Sequence, residues 1–232
     1  RRRADARAAP HRQLLSSPVE PEGSKDLRRA GATANDTLKA RHAARERTLP
    51  LCRRATRESA LAVRAVHRHD LADAQGHLTA AGSALDEAAT ATAQHPAVRE
   101  AGFLHDAQKE YAEANLTLAF VTHAPPPDAA TLRVDAPAFL HGMVEAASEL
   151  RRAVLDRLRA GDAAEAQALF TIMEDAYDVA AGIDYPDALT GGLRRATDAL
   201  RAVLERTRGD ITNAVVLARF DAALDERDHA AR

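Results

Sequence analysis

The chain has no tryptophan and only three tyrosines and five phenylalanines, so aromatics make up 3% of its 232 residues. Sheets draw on aromatic and β-branched side chains, and their scarcity argues against a β or mixed core. Cysteine is nearly absent too. Cys52 stands alone, which excludes an intrachain disulfide framework and a cysteine-based zinc site and suits a reducing, cytoplasmic setting. No apolar run approaches the ~20 residues that cross a bilayer. The arginine-rich start lacks the apolar stretch of a secretory signal, so the expectation is a soluble protein with no membrane partner. Also missing are a GxGxxG turn, a P-loop and a GxSxG elbow, which leaves dinucleotide binding, P-loop NTP hydrolysis and serine-hydrolase chemistry without support.

What is present is alanine, the best helix former, within an apolar fraction of 46%. The fold expected is all-α: one domain of about seven antiparallel helices over residues 35–226, preceded by a basic, disordered tail over residues 1–34. Charge is uneven along the chain. Residues 1–57 carry 15 Lys/Arg against 6 Asp/Glu, and the remainder 17 against 28. A basic segment of that kind serves a polyanion or the protein's own acidic surface.

Punctuation places the helices. Asn35 or Asp36 is a candidate cap for a first helix reaching about His69, which Pro50 should kink or split. A second helix covers residues 71–92 and a third 97–122. Three consecutive prolines, 125–127, demand a non-helical crossover over 124–137. Asp135 is set to cap a fourth helix ending near Gly161, and Asp162 to start a fifth through about Ala181. After a connector over 182–192, an amphipathic helix runs from Leu193 to about Thr207. Gly209 should end it, and a last helix should open at Asp210 or Thr212 and reach Leu224.

The chemistry concentrates in FLHDAQKEYAEANLTLAFV, residues 103–121. At 100° per residue, Phe103, Ala107, Ala114, Leu118 and Val121 form an apolar stripe, with Glu110 near its middle and Glu113 one turn on. In FLHGMVEAASELRR, residues 139–152, Glu145 and Glu149 are also one turn apart. Two helices can thus present four carboxylates to one cleft, a donor set suited to Mg²⁺ or Mn²⁺. The alternative is solvated or ion-paired acids. With 34 acids in the chain, roughly five i,i+3 acid pairs arise by chance, and Glu145 and Glu149 lie opposite the stripe of Leu140, Met143, Ala147, Leu150 and Val154. Arg194, Arg195 and Arg201 form a candidate phosphate-contacting set. His105, His123 and His141 lie near the same helices, without the paired Glu-x-x-His spacing of a di-iron bundle.

KEYAEA at 109–114 resembles a QEYVEA-type segment of translin-associated factor X. FLHGMVEAASELRRAVLDRLRAGD at 139–162 is similar to a second segment of that family. The stretches at 45–68 and 184–212 resemble those that flank these in microbial members. All occur in family order over residues 36–225. The resemblance implies an all-helical protomer that forms a homo-oligomer, commonly an octamer, and binds single-stranded RNA or DNA. In the factor-X branch it further implies Mg²⁺-dependent RNA cleavage. Carried over residue by residue, the catalytic carboxylates fall on Glu110, Glu113 and Glu145, with Glu149 as a further metal-ligand position. Two departures stand out: Glu145 replaces an aspartate, and Ser148 replaces a glycine. Translin proper lacks the paired glutamates, so the chain looks closer to factor X. A non-catalytic RNA- or DNA-binding oligomer of the same fold, or a helical scaffold without a nucleic-acid role, are the alternative readings.

Overall fold

The computed structural model describes the backbone of residues 22–230, and every one of its regular elements among them is a helix. In chain order these are α1 (Glu22–His67), α2 (Leu71–Thr92), α3 (Pro96–Arg99), α4 (Gly102–Val121) and α5 (Ala129–Leu132). They continue with α6 (Ala136–Arg159), α7 (Ala163–Ala181), α8 (Asp187–Thr190) and α9 (Leu193–Ala230). None is long and apolar enough to cross a membrane.

Caps fall where side-chain chemistry puts them. The Asp70 carboxylate accepts from Asp73 N at the start of α2, and that of Asp162 from Glu165 N at the start of α7, each satisfying an otherwise orphaned donor. Asp135 does precede α6, with Pro137 in the first turn, but its side chain makes no capping bond.

Several boundaries differ from the sequence expectation. The proposed tail is helical from Glu22, so its segment 22–34 belongs to α1, while 1–21 lies outside the described residues. Pro50 does not split α1. Both Pro50 and Glu46, whose carbonyl loses its partner, are exposed, so the missing bond faces water rather than a dry core. The third helix is broken instead at Glu100 and Ala101, the latter extended. The prolyl crossover contains the single turn α5, capped by Asp128, and the 182–192 connector contains α8. Gly209 does not end a helix. It lies inside α9, where an exposed glycine costs about 1 kcal/mol relative to alanine. Thr207 and Ile211, buried on either side of it, and the Arg151 guanidinium, on Thr207 Oγ1 at 2.9 Å and Asp210 Oδ2 at 2.7 Å, hold the chain helical across it.

The chain divides into two compact units. The first reaches Ala40 and is represented by the start of α1, almost wholly exposed and laced by local pairs such as Arg29–Asp26 at 2.7 Å. The second begins at Arg41 and holds the bundle. There α4 packs on α2 and α6, and α6 on α7 and α9. One core gathers Leu116, Phe120, Leu150, Leu169, Met173 and Leu200 from α4, α6, α7 and α9. A second joins Cys52 and Ala55 of α1 to Ala84 and Leu85 of α2 and Leu104 and Ala107 of α4. Buried leucines supply roughly 1.5–3 kcal/mol each. Fully enclosed alanines such as Ala62, Ala84, Ala114 and Ala146 let the axes come close. With a core on each side, α4 buries Leu104, Leu116 and Phe120 beyond the single stripe read from sequence, while Phe103, Leu118 and Val121 are half-buried.

Candidate functional site

The site forms where α4 and α6 touch backbone to backbone. Gly142 makes that possible: a Cβ there would lie 2.7 Å from the Lys109 carbonyl oxygen and 2.8 Å from both Glu113 N and Ala112 Cβ. Only a residue without a side chain fits against that backbone. Ala112, wholly buried, keeps the facing surface of α4 low. Glu145, one turn past Gly142, is thereby delivered to the KEYAE segment of α4. One carboxylate oxygen from each of Glu110, Glu113 and Glu145 lies within 4.8 Å of the others.

A lysine partly neutralises the three acids. Lys109 Nζ donates to Glu145 Oε1 at 2.8 Å and Oε2 at 2.7 Å, and lies 3.2 Å from Glu110 Oε1. Burial works against the Lys109 charge, yet its bonds to Glu145 and the Glu110 carboxylate beside it more than offset this and raise its pKa. Glu113 takes no part in these bonds. Burial first, then the charges of Glu145 and Glu110, push its carboxyl up to about 8, with Lys109 opposing. Formally, three carboxylates share one ammonium.

Glu149 faces elsewhere. Its Oε1 is hydrogen-bonded to His67 Nε2 at the end of α1, and that bond holds the Glu149 carboxyl below its usual range. It contributes to the field at Glu113 but is outside the group of three. Neither Glu145 nor Glu149 occupies a purely solvated face. The three arginines of α9 are all exposed and are not drawn together into one contact. Arg194 pairs with Asp184 at 3.2 Å, and Arg201 borders a groove with Glu174, Glu205 and Arg208. His105 and His141 meet edge to face at 6.1 Å, His141 Nε2 lies 2.8 Å from the Thr190 carbonyl oxygen, and His123 pairs with Glu165.

Sequence reasoning missed Lys109, Gly142 and His67. Lys109 is adjacent to Glu110, but neighbours on a helix diverge by 100°, which hides their convergence on Glu145. A glycine inside an otherwise helical stretch, as at 142, is a legible sign of close backbone approach. His67 carried no signal, because its partner is 82 residues away.

No family model matches the chain. Among curated proteins, the uncharacterized protein MJ0175 of Methanocaldococcus jannaschii is 29% identical over 189 residues, 81% of each chain. Among solved structures, AfC3PO in complex with duplex RNA superposes with a TM-score of 0.72 at 29% identity, covering 80% of this chain and 96% of that one. AfC3PO crystallised as such gives 0.73 at 28%, covering 80% and 97%. The fungal apo-NeC3PO gives 0.69 at 16%, covering 79% and 96%, a likeness of fold alone. The resemblance read from the sequence thus holds: this chain has the all-α fold of the translin-like C3PO structures, with 28–29% sequence identity to AfC3PO over about 80% of its length.

Proposed function

We propose that this protein binds RNA and cleaves it as a Mg²⁺- or Mn²⁺-dependent endoribonuclease, with the cation held by Glu110, Glu113 and Glu145. The observation that carries the reading is the convergence of three carboxylates within 4.8 Å around a single ammonium. The donor set fits the group. It is all oxygen, as hard divalent cations prefer, and the Glu113 carboxyl pushed up to about 8 marks negative charge that Lys109 alone does not balance. A divalent cation bound there would polarise a phosphodiester and make an attacking water more acidic.

The residues themselves do the remaining work. Glu113, its carboxyl pushed up to about 8, would release its proton on binding a cation and so serve as a ligand. Lys109 is close enough to the cluster to exchange a carboxylate contact for a phosphate oxygen, stabilising charge as it develops. Glu149, fixed by His67, acts as a water-orienting acceptor or an outer carboxylate rather than as a member of the three. Arg194, Arg195 and Arg201 supply positive charge along the strand. Arg194's pairing with Asp184, both more than three-quarters exposed, is weak enough to yield to phosphate. The same reading includes assembly into a homo-oligomer, an octamer in the family pattern, and a cytoplasmic location. AfC3PO was solved with duplex RNA, and the substrate proposed for this chain is single-stranded RNA, with single-stranded DNA as a binding partner.

One observation favours a second reading, a non-catalytic RNA- or DNA-binding oligomer: Lys109 already occupies both oxygens of Glu145, as a structural ion cluster would. Labelled single-stranded and duplex RNA, incubated with purified protein and Mg²⁺ or Mn²⁺, separate the two. Metal-dependent cutting that disappears in a folded Glu110→Gln/Glu113→Gln variant establishes the nuclease. RNA binding without cutting leaves the binding protein, and identical cutting by both forms removes the carboxylate mechanism.

A further inference from the structure

The exposed face of α6 does not end with the acids. From Glu145 it runs through Glu149, Arg152, Asp156 and Arg159, in steps of four and three residues that keep one side of the helix. A cleft of about 420 Å³ opens along it, bordered by Ser148, Glu149, Arg151, Arg152, Asp156 and Arg159. The three arginines are not equivalent. Arg151 is committed to Asp210 and Thr207 of α9, and Arg159 to Asp156 at 3.0 Å. Arg152 is exposed, and no carboxylate among the described residues lies within ion-pair distance of it. It borders the same cleft as Glu149, the carboxylate one turn past Glu145, and its charge is felt there.

Seven residues along a helix rise about 10 Å and turn back almost to the starting direction. Arg152 therefore follows Glu145 on the same face at a distance spanned by two or three stacked nucleotides, at ~3.4 Å each. Its guanidinium fork matches two phosphate oxygens, and no ion pair among the described residues need be broken to use it. Resting on the proposed nuclease reading, we infer that Arg152 is the anchor for the internucleotide phosphate two or three positions from the scissile bond, the α6 cleft being the groove that carries the strand away from the carboxylates. Arg152 is a positioning residue: it sets where the strand lies and takes no part in the bond that breaks.

The test compares wild type with Arg152→Ala, Arg152→Lys and, as a charge-matched control, Arg45→Ala. Arg45 is exposed and, among the described residues, paired only with its neighbour Glu46. Binding of a labelled 12-nucleotide RNA is followed by anisotropy in EDTA from 50 to 200 mM salt, and cleavage is followed with Mn²⁺. Arg152→Ala should weaken binding about tenfold and reduce the salt slope by about one. It should raise KM with kcat unchanged. Arg152→Lys should fall between, because charge survives and the fork does not, and Arg45→Ala should match wild type. Equal binding by wild type and Arg152→Ala overturns the inference while the nuclease reading stands. So does a fall in kcat at unchanged KM, or an equal loss in Arg45→Ala. Wild type that neither binds nor cuts RNA at low salt overturns both.

Discussion

Replacing Glu113 by glutamine should stabilise the metal-free protein at alkaline pH, the reverse of the usual result of altering a half-buried polar residue. The Glu113 carboxyl is raised from 4.5 to about 8 by burial and by the charges of Glu145 and Glu110. Between those two values the folded chain holds a proton that the unfolded chain has released. Stability attributable to this group is therefore complete below pH 4.5 and declines as pH rises, the loss levelling off above about 8. At about 1.36 kcal/mol per unit, the full shift corresponds to about 5 kcal/mol. Glu110 and Glu145 are about a third exposed, so solvent screens part of their repulsion and about 2 kcal/mol is the working figure. For a chain of this size that is about 4–8 °C in Tm. Thermal melts in EDTA at pH 6, 7, 8 and 9 provide the assay. Wild type should lose stability across the series, Glu113→Gln should lose less, and the two curves should separate progressively. Adding Mn²⁺ at pH 8 should raise Tm in wild type and much less in the variant. A variant that tracks wild type at every pH, or is the less stable at pH 9, refutes the charge argument.

Gly142→Ala should cost about 1–3 kcal/mol by overpacking, because two of the atoms a new Cβ would meet belong to the α4 backbone. It should weaken Mn²⁺ binding by calorimetry as α6 backs away, whereas Gly76→Ala, with nothing within 4 Å, should not destabilise. Lys109→Met removes the ammonium shared by Glu110 and Glu145. It should lower Tm in EDTA by about 3–10 °C while enlarging the increment on adding Mn²⁺, read as the difference between paired melts. Cys52 is 4% exposed and burial pushes its thiol up to about 11. It should react with a thiol reagent at neutral pH at least a hundredfold more slowly in the folded protein than in denaturant, by stopped-time colorimetry.

Long periodic segments were the readable part of the fold, and their ends were read where a side chain does the capping. Asp162 caps by bonding Glu165 N, a local event that local sequence specifies. Pro50 and Gly209 misled for the opposite reason. Each weakens a helix by an amount that its surroundings offset: the bond missing at Pro50 faces solvent, and the Arg151 contacts straddle Gly209. Residue propensity alone holds neither fact. Placing α4 between two cores was also out of reach, because a wheel reports one stripe while Leu104 and Leu116 answer to different neighbours.

At the site, sequence supplied the residue types and the structure supplied their partners. Glu110 on an apolar stripe needed a reason to be there, and the reason lies in Lys109 and in the proximity of Glu145, 35 positions on. That proximity is created by Gly142 and Ala112, two residues with no chemistry of their own, whose smallness sets the distance between helices. The same distance separates the fates of Glu145 and Glu149. One turn is enough to carry Glu149 past α4 to His67 on α1, where a histidine replaces a carboxylate as its neighbour and its carboxyl falls below the usual range while that of Glu113 rises. Four glutamates of identical intrinsic acidity are thus divided into a group of three around one ammonium and a fourth partnered by a histidine. The proposed cation-dependent reaction would use both kinds: unbalanced charge to hold the ion, and an ionised carboxylate nearby to accept hydrogen bonds from water.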